Sequence, residues 1–171
     1  MQGNRGMMTE AVINATNDHY RRKGLALVTK IPTPIKVVKQ RGGVVTHGFF
    51  ESPGVLDYLG IVQGLPVTFD AKETKEKSLP LKNIADHQYE YIADFLKQGG
   101  YAFIIAHYAF CGAFYLIPGE YLLECRKKSL EGGLKSIPIS ALPDKYKINS
   151  DNLIEYLPQL NEYYKERNSK S

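Results

Sequence analysis

The chain has 171 residues, of which 43% are apolar or aromatic, and a net charge of +4. This length and composition predict one globular domain with a substantial core, and they exclude an intrinsically disordered chain. The most apolar stretch, residues 101–110, is interrupted by His107 and is too short to cross a bilayer, and the N-terminus holds no apolar core of signal-peptide length. We therefore expect a cytoplasmic protein with no membrane partner.

The chain begins with a predicted helix and a short strand. Apolar residues recur at helical spacing over residues 8–22, and Gly24 is a suitable helix end. A buried strand follows over residues 25–29, after which Pro32 and Pro34 interrupt regular structure.

A basic hairpin comes next. Strands over residues 35–39 and 44–49 flank a Gly-Gly turn and carry few large apolar side chains, so we expect a stalk over about residues 31–50 that projects from the body. Residues 19–50 contain no acid and seven basic residues, which leaves the rest of the chain at −3. A solvated basic face would show the same pattern, but a polyanionic partner is favoured. The basic residues are Arg21, Arg22, Lys23, Lys30, Lys36, Lys39 and Arg41.

The rest of the chain alternates strands and helices. This order indicates the α/β class, with a mixed central sheet and helices on its faces. The predicted elements are a hairpin over 56–62 and 65–72, a helix over 84–98, strands over 101–108 and 113–117, a helix over 120–128, and a C-terminal helix over about 151–167 with a kink at Pro158.

The second hairpin carries the residues that suggest chemistry. Successive side chains of a strand face opposite sides, so Val67 and Phe69 would pack on the core while Asp70 and Lys72 share a polar face. The alternative is a solvent-exposed salt bridge, because an acid two residues before a lysine is common by chance.

A tight turn in this hairpin would bring a second carboxylate to the same place. If Gln63-Gly64 are the central residues of the turn, Val62 lies opposite Leu65, and the same register places Asp57 opposite Asp70. The Cβ atoms of the two aspartates would then be roughly 5 Å apart. Two facing carboxylates repel each other unless a hard cation such as Mg²⁺ lies between them.

These residue types suit the hydrolysis of a phosphodiester. One or two Mg²⁺ ions on Asp57 and Asp70 would activate water and orient the leaving group, and Lys72 would neutralise developing charge. Glu10, on the first helix, is either a further metal or water ligand or a solvated surface residue.

Four short runs occur in an order and spacing typical of one nuclease family. They are Asn4-Arg5-Gly6-Met7, Ile31-Pro32-Thr33-Pro34, Phe69-Asp70-Ala71-Lys72-Glu73-Thr74 and Asp86-His87-Gln88. Together they resemble the RecU-type Holliday junction resolvases of the PD-(D/E)xK nuclease superfamily over roughly residues 4–140. The C-terminal helix lies outside this resemblance.

The resemblance implies a restriction-endonuclease-like fold in a single nuclease domain, residues 1–171. It also implies a homodimer that resolves four-way DNA junctions by paired, symmetric phosphodiester hydrolysis with Mg²⁺, for which Mn²⁺ can substitute. Asp57 and Asp70 would be metal ligands, Lys72 the catalytic lysine, and Gln88 a further member of the metal shell.

The DNA contacts implied by the resemblance lie in the stalk and near the N-terminus. The stalk would enter the centre of the junction, and Arg5 would contact DNA together with Lys30, Lys36, Lys39 and Arg41.

Two positions depart from the family pattern. Family members usually carry a glutamate where Asp70 stands and often a threonine where Val55 stands, so Val55 can contribute only its backbone oxygen to a metal. Two other functions remain open from the sequence: a nuclease of the same fold that acts on other branched or duplex DNA, and a non-catalytic DNA-binding modulator of recombination.

Overall fold

The computed structural model describes residues 3–50 and 55–169. Its described elements alternate in the order expected for an α/β protein. They are α1 (Gly3–Arg22), β1 (Leu27–Lys30), β2 (Ile35–Arg41), β3 (Val44–Phe50), β4 (Tyr58–Val62), β5 (Leu65–Thr74), β6 (Ser78–Pro80), α2 (Asp86–Lys97), β7 (Tyr101–Tyr108), β8 (Ala113–Pro118), α3 (Gly119–Leu130), β9 (Ser136–Pro138), β10 (Lys147–Ile148) and α4 (Leu157–Ser169).

The central sheet has six strands in the order β1-β4-β5-β7-β8-β10. Strands β5 and β7 pair in parallel, and their neighbours pair antiparallel. Parallel neighbours require a crossover connection, which here contains α2. The predicted class, a mixed central sheet with flanking helices, is therefore confirmed.

A stack of aromatic rings holds the three central strands in register. Tyr58 pairs with Phe69, and Phe69 pairs with Phe103, in adjacent strands. Their rings stack with centroids 4.7 and 4.8 Å apart, and Tyr156 packs against Phe69 and Phe103 from the segment before α4. These four side chains are almost fully buried, so they tie the body of the sheet to its C-terminal segment.

The stalk predicted over residues 31–50 is present as the β2–β3 hairpin. The two strands form a sheet of their own, and every residue from Pro32 to Phe49 is exposed. Such an isolated ribbon buries little of its own surface. The protruding hairpin is therefore confirmed.

One expectation about local structure is wrong. The C-terminal helix begins at Leu157, not near Asp151, and Pro158 lies in its first turn, where it causes no kink because the first amides of a helix have no intrahelical acceptor. The alternative considered for Asp70 and Lys72, a solvent-exposed salt bridge, does not fit the structure, because Asp70 is 2% exposed and is contacted by Gln88 of α2.

Within residues 3–50 and 55–169, no helix combines the length and the apolar character that crossing a bilayer requires.

Candidate active site

The β4–β5 hairpin brings Asp57 and Asp70 together as expected from the turn. Gln63 and Gly64 both have positive φ, at 48° and 86°, as a type I′ turn requires. The register runs from Val62 opposite Leu65 to Tyr58 opposite Phe69. Asp57 directly precedes β4, so the same register places Asp57 opposite Asp70.

The two carboxyl groups lie close enough to interact with each other. Burial, the charge of Asp70 and hydrogen bonding to Asp70 raise the pKa of Asp57 to about 6, against the opposing charges of Lys72 and Lys30. A pair of carboxyl groups that resists double ionisation in this way favours a divalent cation.

Asp70 is held by three donors. Its Oδ1 accepts the Ala71 backbone N–H at 2.7 Å, and its Oδ2 accepts the Gln88 side-chain amide at 2.7 Å and lies 2.8 Å from the Lys72 Nζ. Asp70 is only 2% exposed, so this network fixes the carboxylate in one orientation. Lys72 keeps a partly exposed side chain beside it.

Gln88, in the first turn of α2, joins three parts of the site. Its Oε1 accepts the Ala85 backbone N–H at 3.2 Å, which leaves its amide nitrogen to face the site. That nitrogen donates to Asp70 Oδ2 and, at 3.1 Å, to the backbone oxygen of Val55. Gln88 therefore holds two oxygen atoms in place through its N–H groups, and its own oxygen caps the helix.

Glu10 and Lys30 form an ion pair beside this cluster. Glu10 lies on α1, and Lys30 is the last residue of β1, where it lies opposite Tyr58. The positive charge of Lys30 lowers the pKa of Asp57 and so opposes the effect of burial. The charge of Glu10 also contributes, after burial, to raising the pKa of the Tyr58 hydroxyl, which donates to Asn14.

The structure thus brings together most of the expected site residues. Lys30 lies in the body of the protein at this site and not on the stalk, a location that the sequence interpretation missed. Glu10 and Lys30 carry opposite charges, which is compatible with an ion pair. They are twenty residues apart, so local sequence patterns do not predict their contact.

The remaining DNA-binding candidates lie apart from this cluster. Lys36, Lys39 and Arg41 are on the stalk, where they are exposed and, within the described part of the chain, form no ion pair. The side chain of Arg5 lies outside the described residues, although its backbone belongs to α1.

The oxygen donors of this site fit a hard divalent cation. Across residues 3–50 and 55–169, no group of three or more His, Cys, Asp or Glu side chains could bind a metal. The donors are two carboxylates, Asp57 and Asp70, and the neutral backbone oxygen of Val55. Mg²⁺ commonly takes one or two carboxylates and keeps several waters, so this set is sufficient for it.

Comparison with known proteins places the chain in a family. The family model of RecU, described as recombination protein U, matches residues 4–162. The chain belongs to the RecU family. Because the match runs into α4, the expected end of the RecU resemblance near residue 140 is wrong.

Several curated relatives carry the name Holliday junction resolvase RecU. The protein from Lactococcus lactis subsp. lactis (strain IL1403) is 41% identical over 168 residues, which cover 93% of this chain and 78% of that protein. The relative from Oenococcus oeni (strain ATCC BAA-331 / PSU-1) is 35% identical over 171 residues, with 95% and 87% covered.

Among solved structures, the chain resembles that of Archaeoglobus fulgidus Hjc, a Holliday junction resolvase from an archaeal hyperthermophile. The TM-score is 0.43 at 13% identity, and the alignment covers 68% of this chain and 75% of Hjc.

Proposed function

We propose that this chain is a Holliday junction resolvase, a Mg²⁺-dependent endonuclease that cuts four-way DNA junctions with paired, symmetric nicks. The observation that carries this function is the contact of Asp57 with Asp70, with Lys72 at 2.8 Å from Asp70, in a chain of the RecU family. Mn²⁺ is expected to substitute for Mg²⁺, and the cytoplasm is the expected location.

The metal ligands in this proposal are Asp57, Asp70 and the backbone oxygen of Val55. When bound, the ion supplies charge neutralisation at the scissile phosphate and a lowered pKa for the attacking water. Three donors hold the Asp70 carboxylate in place. An aspartate, which is shorter than the glutamate usual in the family, can therefore bind the ion here without additional side-chain mobility. Gln88 orients Asp70 and Val55 through its N–H groups, and it could bind the ion through Oε1 only after losing the bond from Ala85.

Lys72 is the catalytic lysine of this proposal. Its ammonium group shares Asp70 Oδ2 with Gln88 and remains partly exposed, so it can also reach a phosphate oxygen. A fixed positive charge at that place stabilises the negative charge that develops during phosphodiester cleavage. Glu10 pairs with Lys30, so its part is to orient that lysine beside Asp57.

The stalk is proposed to recognise the branch point. It is a narrow, fully exposed ribbon that carries Lys36, Lys39 and Arg41, and its base is tied to the active site because the Ile31 backbone N–H donates to the Asp57 carbonyl at 2.7 Å. A homodimer would present two such active sites to two strands of equivalent geometry.

A junction-cleavage assay tests this function. The wild-type protein should nick a labelled four-way junction with Mg²⁺ and not with a chelator. Lys72→Ala and Asp70→Asn should lose cleavage by at least about 100-fold but keep junction binding. Lys75→Ala and Asp94→Asn are matched controls, because both residues are exposed outside the site.

Two results would point to the other functions. Equal cleavage of linear duplex that has the same arm sequences would indicate a nuclease with another DNA target. Junction binding without cleavage under any divalent metal would indicate a non-catalytic modulator of recombination.

A further inference from the structure

An arginine of α3 contacts the first turn of α2 at two positions. Arg126 donates from Nη2 to the Asp86 carboxylate at 2.9 Å, and its guanidinium carbon lies 4.3 Å from the centroid of the Tyr89 ring. Asp86 and Tyr89 are three residues apart, so they lie on one side of the helix. Gln88, whose amide binds two oxygen atoms of the active site, comes between them in the chain.

The contact with Tyr89 is the stronger of the two. The Asp86 side chain is 87% exposed, so water screens its charge, and an ion pair of this kind contributes little. Tyr89 is only 4% exposed, and its hydroxyl donates to the Leu81 backbone oxygen at 3.0 Å. A guanidinium over a buried ring is attracted more strongly, because little water competes for it. Tyr89 is therefore held from two sides, by the segment before α2 and by Arg126 of α3.

The first turn of α2 depends on such contacts because it has no side-chain cap at its start. Ala85, the N-cap residue, has no side-chain oxygen that could accept an amide of the first turn. The Gln88 side chain accepts the Ala85 backbone N–H, while its amide nitrogen donates to Asp70 and Val55. The position of the Gln88 amide therefore follows the position of the whole turn.

We propose that Arg126 is a positioning residue of the active site, which acts through α2 on the Gln88 amide. The link to the metal rests on the proposed function, in which Asp70 is a ligand. Gln88 lies about 100° around the helix from Tyr89, so it faces the sheet while Arg126 holds the side towards α3. A rotation of α2 by about 10° would move an atom about 6 Å from the helix axis by about 1 Å. That displacement is enough to break the Gln88 hydrogen bonds of 2.7 and 3.1 Å.

Contact with DNA phosphate is the competing role for this arginine. Arg126 is followed by Lys127 and Lys128, and both lysines are exposed. The Arg126 side chain is only 26% exposed, and it would have to leave Asp86 and the Tyr89 ring to reach a phosphate. The geometry therefore favours positioning, and the two roles predict different effects on junction affinity.

The first test follows the Gln88 side-chain amide by NMR, without metal or DNA. Its signals are identified by their absence in Gln88→Ala. In Arg126→Met these signals should shift, and their exchange with solvent should become at least about 10-fold faster. Lys128→Met is the matched control, because Lys128 pairs with Glu124 on α3 itself and should leave the amide unchanged. If Arg126→Met does not fold, Asp86→Ala takes its place, and the exchange should then become about 2-fold faster or more.

The second test measures the Mg²⁺ concentration that gives half-maximal cleavage of a labelled four-way junction. Arg126→Met should raise this concentration about 3–10-fold, less than the loss expected for a residue that contacts a metal ligand directly. Junction affinity in a chelator should stay within about 2-fold of the wild-type value, because no phosphate contact is lost. In a Gln88→Ala background, Arg126→Met should add no further increase, since its effect passes through that amide.

The outcomes separate this inference from the proposed function. A folded Arg126→Met protein with an unchanged Gln88 amide, or with effects that add fully to those of Gln88→Ala, would overturn the inference. A loss of junction affinity with an unchanged Mg²⁺ requirement would overturn it in favour of a DNA contact. A wild type that cuts no branched DNA would overturn the proposed function, and the NMR test of Arg126 would still stand.

Discussion

Replacing Asp57 by asparagine removes one of the two carboxylates that face each other in the metal-free protein. The pKa of Asp57 is raised from 3.8 to about 6 by burial, by the charge of Asp70 and by their hydrogen bond. The folded state therefore binds a proton more tightly than the unfolded state does. Stability contributed by the protonated form is fully present below the unfolded pKa of about 4 and is lost as pH rises through about 6.

The magnitude follows from this shift. A difference of about two pKa units corresponds to at most about 3 kcal/mol above pH 7. The side chain of Asp57 is only partly buried, so water still screens its charge and we expect about 1–2 kcal/mol. Asp57→Asn should stabilise the metal-free protein by this amount at pH 7.5 and by almost nothing at pH 4.

Urea denaturation of the wild type and the variant between pH 4 and pH 8, in the presence of a chelator, measures this difference. Subtracting the two curves cancels the titrating groups that do not interact with Asp57, and Asp94→Asn, a change at an exposed aspartate on α2, is the control. Added Mg²⁺ should stabilise the wild type and not Asp57→Asn. A difference that is flat across this pH range, or a variant less stable than the wild type at pH 7.5, would refute the reasoning.

Three further predictions concern the stalk, the amide of Gln88 and acidic pH. Replacing Lys36, Lys39 and Arg41 by alanine should lower the slope of log affinity against log salt by about 2–3, measured by anisotropy with a labelled junction; an unchanged slope would mean that the stalk makes no phosphate contacts. Gln88→Ala should cost about 1–3 kcal/mol in urea denaturation, because it removes three hydrogen bonds that the Gln88 side chain makes, and a loss of metal affinity without loss of stability would instead indicate a direct ligand. Cleavage at limiting Mg²⁺ should fall below about pH 6 as Asp57 becomes protonated, and higher Mg²⁺ should move this fall to lower pH; a midpoint independent of Mg²⁺ would exclude proton–metal competition.

Local sequence determined much of the fold. Apolar periodicity and glycine turns predicted most helices and strands within a few residues, because these signals act over a turn or a strand. The short strands β6, β9 and β10 were missed because a pairing of two or three residues depends on a distant partner. The C-terminal helix was placed too early because leucine spacing continues through a segment that pairs and packs without being helical.

The register of the β4–β5 hairpin was also set locally. Two turn residues, Gln63 and Gly64, determine which positions lie opposite each other, so Asp57 could be placed beside Asp70 from the sequence. The face of the sheet on which the Lys72 side chain lies follows from strand alternation in the same way.

Only the tertiary structure decided how the site is enclosed and supported. The sequence could not show that α2 buries Asp70, that the Gln88 amide turns its nitrogen towards the site, or that Lys30 crosses from β1 to Glu10. Each of these contacts joins elements that are distant in the chain, and their distances depend on how helices pack on the sheet. Short-range periodicity carries no information about that packing, whereas turn type and strand alternation are properties of a few neighbouring residues.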